Sequence, residues 1–552
     1  MSDSNRTCEY VLDPDDPETW GGEQGDVCYV DEEILNEDRV WTCPHEAEGD
    51  SELCIFHLSV TEKDSDTTNK KLVDMICDRE GDDWCRFIAA EFGEVSLNEY
   101  DISVNTEPDF SHANFRSSSN WSGVEFNQGV RFSGANFHKS FISHRTKYND
   151  VSIFNGAEFF SIADFRYSTF EQDSYFNSID FKDNSSFSRS NFYANSNFKY
   201  SDFFGEAHFW DANFHADADF EQVDFYKNVY FQEVEFRNSV KFQNTNFSQK
   251  ATFEESVCKN RISFEKSNFS STVIFEMSDF SKASFNHADL TDSDFRNTIL
   301  QKWEFESALL SRAILFGSDL RGAKLNGAVL GDVRIDEDTQ FLGHPDDDRD
   351  YSPHTFSAIR SKPCCVYDPN YEEVNDEADV DKAKSVYRAL EELAGKAARP
   401  RLQSQCFVRR QDLQKEGYKQ DAKEAESWQE RLIAGARYSR AKVARGTLLY
   451  GESPWRIIGG SIGFIFLVAL LYPLGEWLRP VGGEAITYSR ILGGEWGLLL
   501  ESLYFSTLTF TTLGMGDYEP MGFGQVLATL NTALGAVLIA LLVFVLGRRA
   551  AR

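Results

Sequence analysis

Residues 154–181 read FNGAEFFSIADFRYSTFEQDSYFNSIDF, with phenylalanine recurring in alternating steps of five and six residues. An α-helix repeats every 3.6 residues and a strand every 2.0, so neither element produces these steps. A coil with flat faces and corners does, because one large residue per face points inward and stacks on its counterpart in the next coil. This stretch therefore predicts a chain wound into flat-faced coils.

The same eleven-residue period covers a large part of the chain. It runs from Phe110 to Phe280 as two interleaved series, which are aromatic at every position except Ser143 and Cys258. Beyond Phe280 the spacing becomes a uniform five. A small or β-branched residue such as Ala288 lies two places before each large residue of this series, and we expect it to point inward, where space is short.

Residues 318–330, SDLRGAKLNGAVL, resemble the pentapeptide-repeat family, and the five-plus-six portion resembles the Phe-rich variant of that family. The resemblance implies a right-handed quadrilateral β-helix, whose coils stack at the strand-pairing distance of about 4.8 Å. At four units per coil, the repeat would fill roughly eleven coils.

Composition divides the chain into four regions. They are an acidic Cys/His-rich N-terminal domain at 1–106, the β-helix at 107–337, a linker and α-helical connector at 338–455, and a transmembrane pore domain at 456–552. The connector pattern predicts helices over Asp381–Ala398 and Leu402–Leu449. A part that transmits movement and a solvated spacer are both open interpretations of this connector.

Two apolar segments, TM1 at 457–475 and TM2 at 524–547, are long enough to cross ~30 Å of hydrocarbon at ~1.5 Å per residue. Basic residues such as Arg445 precede the first segment, and others such as Arg549 follow the second. Because Lys and Arg residues that flank membrane helices are enriched on the cytoplasmic side, we expect a multi-pass protein of the cell membrane with both termini and the β-helix in the cytoplasm.

Between the spans, residues 498–510 are apolar but too short to cross, as a re-entrant pore helix would be. They lead into residues 511–517, Thr-Thr-Leu-Gly-Met-Gly-Asp, which resemble the potassium-channel filter, usually Thr-Val-Gly-Tyr-Gly-Asp. With helix, pore helix, filter and helix in this order, about ninety residues resemble the two-helix ion-channel family. The filter residues are Thr511, Thr512, Leu513, Gly514, Met515, Gly516 and Asp517.

A dehydrated cation needs oxygens to replace its water shell, and backbone carbonyls supply them if all point into the pore. Gly514 and Gly516 accept the positive φ that turns successive carbonyls to one side. The ligands would be the carbonyls of residues 512–515 and the hydroxyl of Thr512. One chain supplies one wall, so we expect a homotetramer with K⁺ as the permeant ion.

The resemblance also implies that Asp517 braces the filter by hydrogen bonding to an aromatic of the pore helix, here Tyr504. Leu513 replaces the usual valine, which is a mild change. Met515 replaces the usual tyrosine and donates no hydrogen bond, which leaves strict selectivity for K⁺ over Na⁺ open. Gly535 lies near the family's gating hinge, and close helix packing is the alternative explanation.

The N-terminal domain groups thiols and imidazoles, which suit structural zinc. We expect one tetrahedral zinc site using Cys8, Cys43, Cys54 and His57. A small domain that is acidic and poor in aliphatic residues would benefit from such a staple. Cys28 and His45 are competing ligands, and free thiols with surface histidines are the alternative to a metal.

The formal net charge of −34 over 552 residues argues against nucleic acid as a partner, because phosphate binding needs a basic surface. The composition resembles that of proteins from salt-loving archaea. In molar salt the electrostatic screening length falls to ~3 Å, so repulsion between the many acidic groups is weak. An ordinary acidic protein is the alternative. No phosphate loop, metalloprotease helix or catalytic triad is recognisable, so we expect no enzymatic activity.

Two functions remain in view. The first is a tetrameric potassium-type monovalent cation channel with a cytoplasmic regulatory or assembly β-helix. The second is a membrane-anchored interaction scaffold with a degenerate, non-conducting pore, in which the β-helix binds an unidentified cytoplasmic protein. DNA-mimicking pentapeptide-repeat proteins are a precedent for the second. The sequence shows no voltage sensor or nucleotide-binding motif that would name a gating stimulus.

Overall fold

The structure is a computed structural model, and it describes residues 6–78, 85–98, 102–343, 365–371, 376–514 and 516–550. The chain divides into two compact units. The first contains the described residues up to Gly343 and those from Cys365 to Lys382, and the second contains the described residues from Ala383 onward.

The repeat region forms the expected β-helix, in which two-residue strands stack in four parallel ladders. Consecutive partners in one ladder lie 22 residues apart, as when Phe137 pairs with Phe159. The ladders run from Glu91–Phe92 to Asn268–Phe269, from Val95–Ser96 to Val273–Ile274, from Ser103–Val104 to Val257–Ser263, and from Val130–Arg131 to the same Val257–Ser263. Typical members are Asn136–Phe137, Glu158–Phe159, Asp180–Phe181 and Asp202–Phe203.

The coil shortens where the sequence period changes. After residue 284 the ladders continue as single bridges between residues 20 apart, such as Asp289 with Leu309. The change is absorbed where Val257–Ser263 pairs with Asp279–Ser284, because the register shifts between Cys258 and Arg261. Cys258, which interrupts the aromatic series, therefore marks the irregular strand at which the longer coils give way to the shorter ones.

The β-helix begins earlier than residue 107, where the sequence placed its start. Phe87 stacks on Phe110 at 5.1 Å between ring centroids, and Phe92 stacks on Phe115 at 4.9 Å. Each pair is separated by 23 residues rather than 22, so the first coil falls out of the sequence period. The N-terminal region and the β-helix are consequently continuous.

The core of the β-helix consists of columns of parallel rings. Phe165 stacks on Phe187 at 4.8 Å and 4°, while it meets Phe154 edge-on at 90°. Aromatic pairs in these geometries contribute about 0.5–1.5 kcal/mol beyond their buried area. The small inward residues satisfy corner carbonyls as well as saving space, since the Ser190 hydroxyl donates to the carbonyl of Phe165 at 2.6 Å.

One exception to the aromatic series is compensated inside the core. Ser143 replaces a phenylalanine, and its hydroxyl lies 2.7 Å from the hydroxyl of Tyr148, the only tyrosine in the two series. Both side chains are buried. The smaller serine makes room for the extra oxygen of the tyrosine, and each hydroxyl partners the other.

The remaining elements of the first unit lie at its N-terminal end. Val11–Leu12 pairs antiparallel with Trp41–Thr42. Helix α1 covers Ser65–Asp78, and single 3-10 turns cover Pro17–Thr19, Glu32–Ile34 and Val60–Glu62.

Within its described residues, the connector contains three α-helices where the sequence predicted two. They are α2 at Val380–Lys396, α3 at Pro400–Glu424 and α4 at Trp428–Leu448. The prediction of a single helix over Leu402–Leu449 is wrong, because α3 ends at Glu424 and a separate helix follows. Ser427 caps the new helix by accepting the N–H of Glu430 at 3.2 Å, and α3 and α4 pack side by side.

In the described C-terminal residues, two helices are long and apolar enough to cross a membrane, at Pro454–Leu474 and Phe523–Gly547. Between them lie a short helix, a largely apolar and partly buried helix, and two paired strands. The elements are α5 at Pro454–Leu471 with a 3-10 turn at Tyr472–Leu474, α6 at Tyr488–Leu492, α7 at Gly497–Phe510, α8 at Phe523–Ala550, and the strands Leu478–Pro480 and Tyr518–Pro520.

Candidate ion-conduction site

Helix α7 is tied to both membrane-length helices at one level. The Ser506 hydroxyl donates to the carbonyl of Ile465 on α5 at 2.9 Å. From α8, the Asn531 side-chain amide donates to the carbonyl of Ser506 at 2.8 Å and to the hydroxyl of Thr509 at 2.7 Å. Ser506 and Asn531 are fully buried. These bonds fix the height and rotation of α7 between the two helices.

Apolar packing supports α7 from its start to its middle. Tyr472 meets Phe505 edge-on at 5.3 Å. The buried cluster around this pair joins the end of α5, the loop that follows and the start of α7. Its members are Val468, Tyr472, Leu478, Ile486, Ile491, Leu498 and Phe505.

Gly535 marks the closest approach of α8 to α7. A Cβ built on Gly535 would lie 2.0 Å from the carbonyl oxygen of Phe510, the last residue of α7. Two backbones in direct contact leave no room for any side chain, so close packing is the geometry at this position. A hinge at Gly535 stays a prediction.

The end of α7 forms the start of the candidate filter. The N–H of Thr512 donates to the carbonyl of Thr509 at 3.2 Å, and the N–H of Leu513 donates to that of Leu508 at 3.0 Å. This pair of bonds is a Schellman motif, which requires a left-handed residue between them. That residue is Thr512, with φ of 60°.

Positive φ therefore begins at Thr512, two residues before the first glycine of the filter motif. A β-branched residue rarely adopts this conformation, and such strain costs on the order of 1–3 kcal/mol. Gly514 follows with φ of 43°. The glycine pattern identified Gly514 but gave no sign of Thr512. Met515 lies outside the described residues.

One side of the filter segment is open in the single chain. Leu513 is 67% exposed, and among the described residues nothing beyond the chain neighbours lies within 4 Å of a Cβ built on Gly514 or Gly516. The outer end is anchored, because the carbonyl of Asp517 accepts the N–H of Val481 at 3.0 Å. The filter segment is thus held at its outer end and open on the side that Leu513 faces.

The brace between Tyr504 and Asp517 stays a prediction. Tyr504 is 45% exposed and meets the ring of Tyr518 at 6.2 Å, and within the described part of the chain it has no hydrogen bond to Asp517. Burial and then the nearby Glu501 carboxylate raise the pKa of Tyr518. Tyr518 is thus the ring beside the tyrosine of α7, and Glu501 is the one charged residue of that helix.

The connector is bonded to the start of the first membrane helix. Asp412 on α3 is 5% exposed and accepts from Arg445 at 2.5 Å, from the Tyr450 hydroxyl at 3.0 Å and from Lys415 at 3.1 Å. Arg456, in the first turn of α5, donates to the carbonyl of Arg445 at 2.9 Å. Sequence reasoning missed Asp412, although a carboxylate next to the apolar Leu413 is an available signal.

The connector also reaches the end of the second membrane helix. A cavity of about 340 Å³ separates the α3–α4 pair from α8. Its lining residues are Phe407, Gln411, Ala444, Tyr450, Gly451, Leu541, Phe544 and Val545. The connector is therefore bonded to the start of α5 and shares a cavity with the end of α8, and its role in transmitting movement stays a prediction.

The candidate metal ligands come together at the other end of the chain. The ligand atoms of Cys8, Cys43, Cys54 and His57 all lie within 4.8 Å of one another, and all four side chains are buried. Of the competing ligands, His45 lies 3.9 Å from the Cys54 sulfur, and Cys28 is half-buried outside the group.

Family models match two parts of the chain. A model described as "Ion channel" matches residues 483–552. A model described as "Pentapeptide repeats (9 copies)" matches residues 176–224 and 220–267, and one described as "Pentapeptide repeats (8 copies)" matches residues 263–301 and 304–332. Among curated proteins, none matches the chain.

Three solved structures show weak similarity. QnrB1, a plasmid-mediated fluoroquinolone resistance protein, is 16% identical over 40% of this chain and 92% of its own, with a TM-score of 0.22. HetL, involved in heterocyst differentiation regulation in Nostoc sp. strain PCC 7120, is 17% identical over 39% and 86%, with a TM-score of 0.15. Rfr23 from Cyanothece 51142 is 14% identical over 20% and 90%, also with 0.15.

Proposed function

We propose that this chain, which joins pentapeptide repeats to an ion-channel domain, forms a tetrameric potassium-type monovalent cation channel. The observation that carries the proposal is the position of α7. This helix is too short to cross a membrane, is hydrogen-bonded to both membrane-length helices, and ends in the left-handed turn at Thr512.

The end of α7 suits a cation. The last carbonyls of a helix have no partners within it, and the aligned peptide dipoles give this end a partial negative charge of about half an elementary charge. Carbonyls of the following residues then take the place of lost water. Potassium is the ion we assign, by the resemblance of residues 511–517 to the potassium-channel filter.

The open side of the filter supports a closed ring of chains. A single wall with Leu513 exposed cannot enclose an ion, whereas four copies around an axis can. Large apolar residues are also exposed along both membrane-length helices. They include Ile462, Phe466, Leu467, Val526, Leu534 and Val537. Lipid and neighbouring chains are the surroundings that such faces require.

The connector is the element through which we expect the channel to be regulated. Asp412 and Arg445 link the α3–α4 pair to α5, and the cavity at Phe407 places the same pair beside α8. A movement of the connector would therefore reach both membrane helices. By the basic flanks, the connector and the β-helix lie in the cytoplasm.

The test is recording from the purified full-length protein in planar bilayers, with K⁺ on one side and Na⁺ on the other. We expect a current whose reversal potential shifts by roughly 59 mV for each tenfold preference for K⁺. Because the net charge is −34, recordings in molar KCl accompany those in dilute buffer. A folded membrane oligomer that passes no monovalent current in either condition would rule the proposal out.

A matched pair of variants separates the filter from general damage. Gly514→Asp should abolish the current. Gly417→Asp introduces the same side chain on the connector helix α3, where nothing lies within 4 Å of the new Cβ, and should leave the current intact. Equal loss of current in both variants would count against the filter.

The second candidate is a membrane-anchored scaffold, and one observation favours it. Asp180, Asp202 and Asp224 stack in successive coils, and burial followed by these neighbouring carboxylates raises the pKa of Asp202 to about 6. A column of carboxylates suits a cationic protein partner. Under this function, Gly514→Asp leaves partner binding unchanged and no current is seen in any variant.

A further inference from the structure

We propose that the N-terminal region holds one structural Zn²⁺, bound by Cys8, Cys43, Cys54 and His57, and that this ion fastens the N-terminal cap, residues 6–78, to the first coil of the β-helix. The proposal is independent of ion conduction, because it concerns only the first of the two units.

The spacing of the ligand atoms fits a tetrahedral ion. With Zn–S of about 2.3 Å and Zn–N of about 2.0–2.1 Å, ligand sulfurs lie roughly 3.8 Å apart and sulfur and nitrogen roughly 3.6 Å apart. The sulfurs of Cys43 and Cys54 are 3.8 Å apart. The Nδ1 atom of His57 lies 3.7 Å from the Cys8 sulfur and 3.2 Å from the Cys54 sulfur. A disulfide needs about 2.05 Å, so the sulfurs are placed for a shared ion.

The histidine is held in the orientation that a metal ligand needs. The Nε2 atom of His57 lies 2.9 Å from the carbonyl oxygen of Ile88, so Nε2 carries the proton and Nδ1 presents its lone pair to the three sulfurs. The ring of Tyr10 stacks on the imidazole at 4.0 Å and fixes its plane. Metal-binding histidines commonly have a carbonyl partner of this kind.

The sulfurs have support from the backbone, and the competing histidine has another role. The N–H of Cys54 donates to the Cys8 sulfur at 3.2 Å, a contact that suits a thiolate. His45 packs against Phe56 at 5.2 Å and Phe87 at 5.5 Å, so its ring belongs to the aromatic contacts of the cap. The four remaining ligands satisfy a tetrahedral site.

The site lies where the β-helix needs a cover. Phe56, inside the loop that carries two of the ligands, meets Phe87 of the first coil at 4.8 Å, and its carbonyl accepts the N–H of Glu91 at 2.8 Å. Ile88, which orients the metal histidine, belongs to that same coil. Repeat folds require such caps at their ends, and a structural zinc adds its binding energy to folding. Loss of the ion should loosen the cap first.

The test measures metal in the full-length protein, expressed with zinc and purified without a chelating tag. We expect about one Zn²⁺ per chain by elemental analysis, and Co²⁺ exchanged into the site should show the intense visible absorption of a tetrahedral thiolate complex. Cys43→Ser and His57→Ala should each lower the zinc content at least tenfold and expose the first ninety or so residues to protease. Cys28→Ser, a cysteine outside the group, should keep the zinc and the protease resistance.

Three results would overturn the proposal. They are a folded wild-type protein that binds neither Zn²⁺ nor Co²⁺, a Cys28→Ser variant that loses as much zinc as Cys43→Ser, and a Cys43–Cys54 disulfide found by mass spectrometry without reduction. If the ligand variants fail to fold, the metal content and the cobalt spectrum of the wild-type protein decide by themselves.

Discussion

Replacing Gly535 by alanine places a methyl group against the end of α7. The new Cβ would lie 2.0 Å from the carbonyl oxygen of Phe510 and 2.8 Å from its carbon. Carbon and carbonyl oxygen approach to roughly 3.3 Å at closest, so α8 must move by about 1.3 Å or α7 must turn. Overpacking of this kind typically costs about 1–3 kcal/mol. That range corresponds to a 5- to 150-fold loss of the correctly packed pore, at roughly 1.4 kcal/mol per tenfold change.

The assay combines thermal dissociation of the purified oligomer with recording in bilayers. Gly547→Ala is the matched control, because it makes the same substitution on the same helix where nothing lies within 4 Å of the Cβ. Close packing predicts that Gly535→Ala destabilises the assembly and reduces the number of active channels. A hinge predicts normal assembly with an altered open probability. A Gly535→Ala protein with the stability and current of the wild type would refute the packing argument.

Three further predictions concern polar side chains. Asn531→Ala removes both amide bonds to α7, so the pore domain should lose about 1–2 kcal/mol of stability, measured as a lower dissociation temperature of the oligomer. Asp412→Ala leaves Arg445 without its carboxylate. The connector should then lose about 1–3 kcal/mol, and protease sensitivity of α3 and altered gating should reveal it while the membrane helices stay folded. Asp202 has a pKa of about 6 in the folded protein, above its ordinary value, so the folded chain binds this proton more tightly than the unfolded chain does. The stability that comes from the bound proton is lost as the pH rises from about 4 through about 6. Asp202→Asn should therefore raise the melting temperature of the β-helix at pH 7, and the difference should vanish near pH 4.

Much of the fold was predictable because the repeat shows directly in the sequence. Each coil uses the same inward positions, so periodicity alone locates the aromatic columns. The prediction failed where local geometry departs from the period. Phe87 and Phe92 stack one residue out of step with the next coil, and the break before Ser427 depends on a single capping bond.

The candidate site was predictable to a lesser degree. Residue type and order indicate a filter at residues 511–517, because glycines and threonines between two apolar spans have few other uses. The partners of α7 were not predictable, since the bond from Asn531 to Ser506 depends on how two helices face each other. The Schellman turn that places Thr512 in a left-handed conformation is equally invisible in residue types.

The regular ladders make the length of the β-helix adjustable in fixed increments. Deleting residues 176–197 would join Tyr175 to Phe198, and every strand beyond the cut would meet a partner of the same kind, one strand spacing of about 4.8 Å nearer. Deleting eleven residues would instead turn everything after the cut by half a revolution. Insertions or deletions of whole coils can therefore change the length of the β-helix during evolution while both of its ends keep their structure.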